Sequence, residues 1–113
     1  MGKLTKEDII LLFLEDPEKL TTELWNKNVP KSDEIRTLIC ELGDSWCVYW
    51  YALQIDKKPT DETRTASCRG SDGAYCYAKN VDKKPTNETR EATYKDSDYK
   101  ERYIKWENSL KKI

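Results

Sequence analysis

A chain of 113 residues is about the size of one ordinary domain and too short for two independent cores. Hydrophobic residues make up 37% and charged residues 36%, a polar balance offset by four tryptophans, seven tyrosines and one phenylalanine, each of which buries a large area. Twenty basic against twenty-one acidic side chains leave a net charge of -1, which argues against wholesale phosphate binding and against an acidic nucleic-acid mimic; the absence of histidine excludes histidine-based acid–base chemistry.

Thr5 and Asp8 flank the start of an apolar helix expected over 5–15, and Asp16 followed by Pro17 is a cap with a first-turn proline opening a second helix over 17–28. The longest apolar run, Ile9 to Leu14, is far short of a membrane span and lacks a signal-peptide cleavage pattern, so the chain is expected to be soluble, off the membrane and cytoplasmic. Ser32 caps a third helix over 33–42, whose face is Ile35, Leu38, Ile39 and Leu42. Helices over 45–55, 61–69, 71–81, 87–95 and 97–111 complete about eight. Val48, Tyr51, Ala52 and Ile55, then Ala74, Tyr77, Ala78 and Val81, lie at helical spacing on one face, and Lys-Lys-Pro-Thr interrupts any strand ladder. Cys40, Cys47, Cys68 and Cys76 have neither zinc-site spacing nor the density of a secreted disulfide scaffold, and are read as reduced, mostly buried thiols.

The segment Tyr51 to Ala66 returns as Tyr77 to Ala92 at a constant offset of 26 residues, and Ser71, Tyr77 and Ala78 step on to Ser97, Tyr103 and Ile104. A decayed copy precedes them: Glu34, Arg36, Thr37 and Cys40 match Glu62, Arg64, Thr65 and Cys68 at an offset of 28, while Trp25 matches Tyr51 at 26. Each unit is two short helices around a turn, with Thr60 and Thr86 capping the second helix and lysines near the end of the first, where positive charge meets the macrodipole. The expected fold is therefore all-α, a short α-solenoid of helix-turn-helix units. A single domain over 1–113 divides into an N-terminal cap and divergent repeat (1–44), repeats over 45–70 and 71–96, and a C-terminal capping helix (97–113).

The string Val81-Asp82-Lys83-Lys84-Pro85-Thr86, continued by Glu88, Thr89, Arg90 and Ala92, resembles the short tandem helical repeats of bacteriophage and bacterial proteins over about residues 45–104. That resemblance implies a helical repeat module of phage origin and brings no catalytic residue. It also implies the mode of action of small phage proteins of this kind, which bind a host enzyme or defence complex.

Four features invite a functional reading. Trp46, Trp50 and Leu53 form a face that does not recur in the later copies; packing against the Ile9–Leu14 helix explains it, with a partner patch as the alternative. Tyr75, Tyr94, Tyr99 and Trp106 have polar neighbours and suit interface contacts, although Tyr99, Tyr103 and Trp106 also share the face that closes the last helix onto the penultimate pair. Residues 1–56 hold 6 basic and 11 acidic side chains, a net of -5, and residues 57–113 hold 14 and 10, a net of +4. Lys57, Lys58, Lys83 and Lys84 recur at equivalent turns and are read either as solvated helix-end charges or as one basic edge. Finally, Asp56 and Asp82 precede Arg64 and Arg90 by eight residues: the arginine either bridges back across its own turn or reaches the adjacent repeat to form a ladder.

The sequon at Asn87 is explained by helix-start preference, and no phosphate loop, dinucleotide fingerprint or catalytic carboxylate pair is present. The expected function is a non-enzymatic, cofactor-free protein-binding scaffold, contacting its partner through Lys57, Lys58, Tyr75, Lys83, Lys84, Tyr94 and Arg102. The alternative is a nucleic-acid or nucleoprotein binder whose backbone contacts are Lys83, Lys84, Lys100, Arg102 and Lys105.

Overall fold

Capping chemistry places the helix starts in the computed structural model, which describes residues 4–26, 28–42 and 44–111. Thr5 and Asp8 form a reciprocal capping box that opens α1 (Lys6–Glu15). Asp16 accepts from the backbone of Glu18 at the start of α2 (Pro17–Trp25), and Ser32 accepts from Ile35 N at the start of α3 (Asp33–Leu42). Asp44 caps α4 (Ser45–Tyr51), Thr60 caps α5 (Asp61–Ser67), Thr86 caps α7 (Asn87–Thr93) and Asp96 caps α8 (Ser97–Leu110). Only α6 (Ser71–Tyr77) begins without a side-chain cap, on Gly70. The second helix is shorter than the expected 17–28, and Lys27 lies outside the described residues.

Two segments differ from the regular helices expected over 45–55 and 71–81. Each first helix finishes in a π turn, Ala52–Asp56 after α4 and Ala78–Asp82 after α6. A π turn holds one residue more than an α-helical turn, so whatever follows it is rotated on the helix. The acid five residues past Tyr51 or Tyr77 thereby faces the preceding second helix. In α8, which continues as a plain α-helix, that place is taken by Glu107, four residues past Tyr103.

The described residues form an all-α molecule of eight helices with no strand, 47 × 25 × 20 Å. Helices pack on those next to them or one removed in sequence: α1 on α2 and α3, α4 on α2, α3, α5 and α6, and α6 on α7 and α8. Ile9, Leu20, Leu24, Val29, Ile35, Leu38 and Ile39 fill the larger core together with Val48, Tyr51 and Ile55. A smaller cluster joins Tyr49, Ala52, Tyr77 and Val81, with Trp50, Leu53 and Cys76 packed against it.

Three kinds of polar contact recur from one unit to the next. The hydroxyl of a first-helix tyrosine plugs the N-terminal turn of the preceding second helix. Tyr51 donates to Pro30 O (3.1 Å), Tyr77 donates to Thr60 O (3.0 Å) and bonds Thr63 Oγ1 (2.7 Å), and Tyr103 donates to Thr86 O (3.4 Å) and bonds Thr89 Oγ1 (2.9 Å). An arginine reaches forward with two nitrogens onto one carboxylate: Arg36 onto Asp56, Arg64 onto Asp82, Arg90 onto Glu107. Of the two arrangements left open by the spacing, the inter-unit ladder is the one formed. Threonines and glutamates tie second helices side by side, Thr37 donating to Glu62 and Thr65 to Glu88. At the N-terminal end Lys6 does the same for Glu34.

The face comprising Trp46, Trp50 and Leu53 is divided rather than covered whole by α1. Trp50 and the α1 residues Ile10, Leu12 and Phe13 pack against the same core, but Trp46 keeps 37% of its surface exposed, meeting Tyr49 at a tilt and Trp50 edge-on. On α1 itself Leu11 and Leu14 point to solvent, 55% and 72% exposed.

Candidate functional site

The turns that leave the first helices bring the conspicuous lysines together. Each π turn ends on a lysine in the left-handed region, Lys57 at φ 57° and Lys83 at φ 59°, the only described non-glycine residues with positive φ. There the Lys57 amide donates to Ala52 O at 2.9 Å, and the Lys84 amide to Ala78 O at 3.2 Å, closing the turns. A side chain with a β-carbon meets its own carbonyl in this conformation, which is why glycine or asparagine is the usual occupant. Pro59 and Pro85 then hold the next residues out of helix, leaving Lys57, Lys58, Lys83 and Lys84 exposed at equivalent corners.

Between the two corners lies a groove of about 440 Å³. Its floor is apolar, made by Ala52, Leu53, Pro59 and Val81, and its rim carries Lys57, Lys58 and Lys83. Leu53 and Val81 belong to the smaller core cluster, so this floor is backed by packed side chains. Asn80 on the wall donates its amide to the Tyr49 hydroxyl at 2.8 Å, which tethers one π turn to the neighbouring helix. The one carboxylate in the lining, Asp82, is wholly covered and held by Arg64 at 2.7 and 2.8 Å, leaving the three ammonium groups to set the field of the opening. A second depression, between α3 and α5, is lined by Glu41, Asp61, Glu62 and Arg69 and carries more acid than base.

The remaining predicted contact residues lie outside this lining. Lys84 is exposed at the same corner. Tyr75 is half-buried between α6 and α8, with its ring 5.9 Å from Tyr99 and 6.4 Å from Tyr103, and the Lys79 ammonium stands over it at 5.8 Å. The exposed Arg102 covers the Tyr99 ring at 5.3 Å, so Tyr75 and Arg102 belong to one aromatic-cation patch. Tyr94 meets Tyr103 edge-on at 5.9 Å beneath Lys100, and Trp106 meets Tyr103 the same way at 5.3 Å. These rings therefore close α8 onto α6 and α7 while leaving cations outward. Asn80 and the left-handed backbone were not singled out as site features, and Leu53 only as part of the Trp46 face; the paired Lys-Lys-Pro corners were the signal that pointed toward them.

The groups with nucleophilic or acid–base chemistry are built into packing. Burial pushes the thiols of Cys40, Cys47 and Cys68 up to about 12, and Cys76 upward as well, away from the thiolate that reacts. Burial likewise raises Tyr51, to about 12, and Tyr77 and Tyr103. The side chains of Asp56 and Asp82 are fully covered and bonded to arginines whose guanidinium pKa is raised by the same hydrogen bonds. Among the described residues no group of three or more cysteines or acids is placed to hold a metal ion, and no helix is long and apolar enough to cross a membrane. Comparisons with protein-family models, curated proteins and solved structures give no match for this chain.

Proposed function

We propose that this chain is a non-enzymatic protein-binding scaffold, a short α-solenoid of units about 26 residues long. In keeping with the resemblance of its repeat string, we take it to be a phage-encoded inhibitor or regulator acting on a host enzyme or defence complex in the host cytoplasm. The observation carrying this reading is the division of labour within the units. Residues that recur, such as Tyr51/Tyr77/Tyr103 and Arg36/Arg64/Arg90, bond one unit to the next. Residues that change from copy to copy, such as Trp46 and Leu53, stand at the surface or on the groove floor. A surface varied on a constant frame is what recognition of a particular partner requires. Buried, raised thiols and arginine-bound carboxylates support a structural use for the reactive groups.

Against a nucleic-acid binder stands the engagement of three of its five candidate cations: Lys105 pairs with Glu101 at 3.2 Å, while Lys100 and Arg102 lie over tyrosine rings. The test is affinity capture from a bacterial host lysate with and without nuclease, repeated with Lys83→Glu and Tyr75→Ala. A protein held by the native chain after nuclease, released by either variant, and altered in activity by the pure chain is the expected result. Retention of every captured protein by both variants would reject these contacts.

A further inference from the structure

We propose that the groove between the two π turns is a docking site for an acidic peptide segment of the partner, with one large apolar residue seated on the floor and flanking carboxylates held by Lys57, Lys58 and Lys83. This rests on the protein-binding reading and names the chemistry of what is bound. Three observations converge on it.

The first is charge. Three exposed lysines line the opening, while the one carboxylate in its lining is already held by Arg64, so the net charge there favours an anionic occupant. The second is the apolar floor of Leu53, Pro59, Ala52 and Val81, which a free phosphate or a nucleic-acid backbone has no group to cover, whereas a leucine or aromatic side chain between acidic neighbours does. A groove of about 440 Å³ is within the range of small recognition pockets, enough for an anchor side chain and the backbone on either side.

The third is the backbone. Lys57 and Lys83 occupy left-handed corners where glycine would be less strained, and they do so at both corners facing the groove. The turn itself is closed by backbone groups, so the geometry alone does not require a lysine side chain. The macrodipole favours a cation near these corners, and a bound carboxylate gives that cation a second use.

The test is fluorescence anisotropy of the full chain with three labelled probes: a short glutamate peptide with a central leucine, the same peptide with serine for leucine, and oligouridine. The leucine peptide is expected to bind saturably, to weaken with added salt, and to lose roughly tenfold or more in affinity when Lys57 and Lys83 are both changed to glutamate, as expected for removing and inverting close charges. The serine peptide is expected to bind more weakly than the leucine peptide. Lys111→Glu, on the end of α8, is the control expected to leave binding unchanged.

Lys57→Gly separates ligand use from fold. Binding should fall while the melting temperature holds or rises, because glycine relieves the left-handed corner. A melting temperature that falls with binding would assign the lysine to the fold and overturn the proposal. Oligouridine bound as tightly as the leucine peptide, or peptide binding indifferent to the double substitution, would also overturn it. If no acidic peptide binds at low salt although the chain still captures a partner from lysate, the groove assignment fails and the scaffold reading stands.

Discussion

From Ile9 to Ile39 the covered positions are filled by leucine, isoleucine and valine, whereas the second helices of the later units bury Thr63, Ala66 and Ser67, then Thr89, Ala92 and Thr93. Similar helix pairs are thus held by oil at one end and by small residues under a tyrosine hydroxyl at the other. The difference follows from what each second helix receives. Tyr77 and Tyr103 bring a ring and a hydroxyl together, so the receiving threonine must be small and must offer an oxygen. Tyr51 meets only backbone groups around Pro30 and Ser32, leaving α3 able to carry aliphatic side chains. Stability therefore resides in shape at the N-terminal end and in tyrosine–threonine hydrogen bonds further on.

The largest expected effect crosses both regions. Cys40, Cys47, Cys68 and Tyr51 ionise near 9.0 or 10.0 when unfolded but only near about 12 when folded. Their contribution is present in full below pH 9.0 and is lost as pH rises toward 12, because the unfolded chain releases protons first. Melting temperature should be level near neutrality and fall steeply above pH 9.0, measured by circular dichroism. A melting temperature level throughout the alkaline range would show that these groups are not covered.

Next comes Ile39→Ala, which removes a fully buried side chain at the oily end and should cost about 2–5 kcal/mol in urea unfolding. In the later units the matching blow is polar. Arg64→Met leaves the covered Asp82 carboxylate without its partner and should cost about 2–3 kcal/mol, the low end for a broken buried pair because the arginine side chain is 17% exposed. A partner-specific loss with unchanged melting would reassign Arg64 from frame to contact. Tyr77→Phe should cost about 1–2 kcal/mol by stranding the Thr60 amide and removing one bond each from the Thr63 hydroxyl and the Thr60 carbonyl, and more than Tyr51→Phe does. Equal losses at the two tyrosines would break the contrast between the regions. Smallest is Thr65→Ala, whose exposed bond to Glu88 should be worth at most about 0.5 kcal/mol in thermal melts.

Helix starts were legible because capping is local: Thr5, Asp16, Ser32, Thr60 and Thr86 act where the sequence places them. The repeat also showed that Arg64 needs an acid, but spacing left two carboxylates open, and only packing selects Asp82 over Asp56. The π turns escaped notice because Val48, Tyr51, Ala52 and Ile55 satisfy a helical period whether or not a residue is later accommodated. Half-burial of Tyr75 was likewise beyond a polar-neighbour rule, since its tilted ring contacts with Tyr99 and Tyr103 depend on where α8 docks. The groove needed two corners to meet, which no single motif encodes.

The extra residue held in each π turn has an evolutionary corollary. Deleting Leu53, for instance, would leave Asp56 four places beyond Tyr51, the interval already used successfully by Tyr103 and Glu107. Single-residue shortening at these positions should therefore keep an acid near the arginine of the neighbouring helix while removing part of the groove, so the length of the π turn sets the opening separately from the frame.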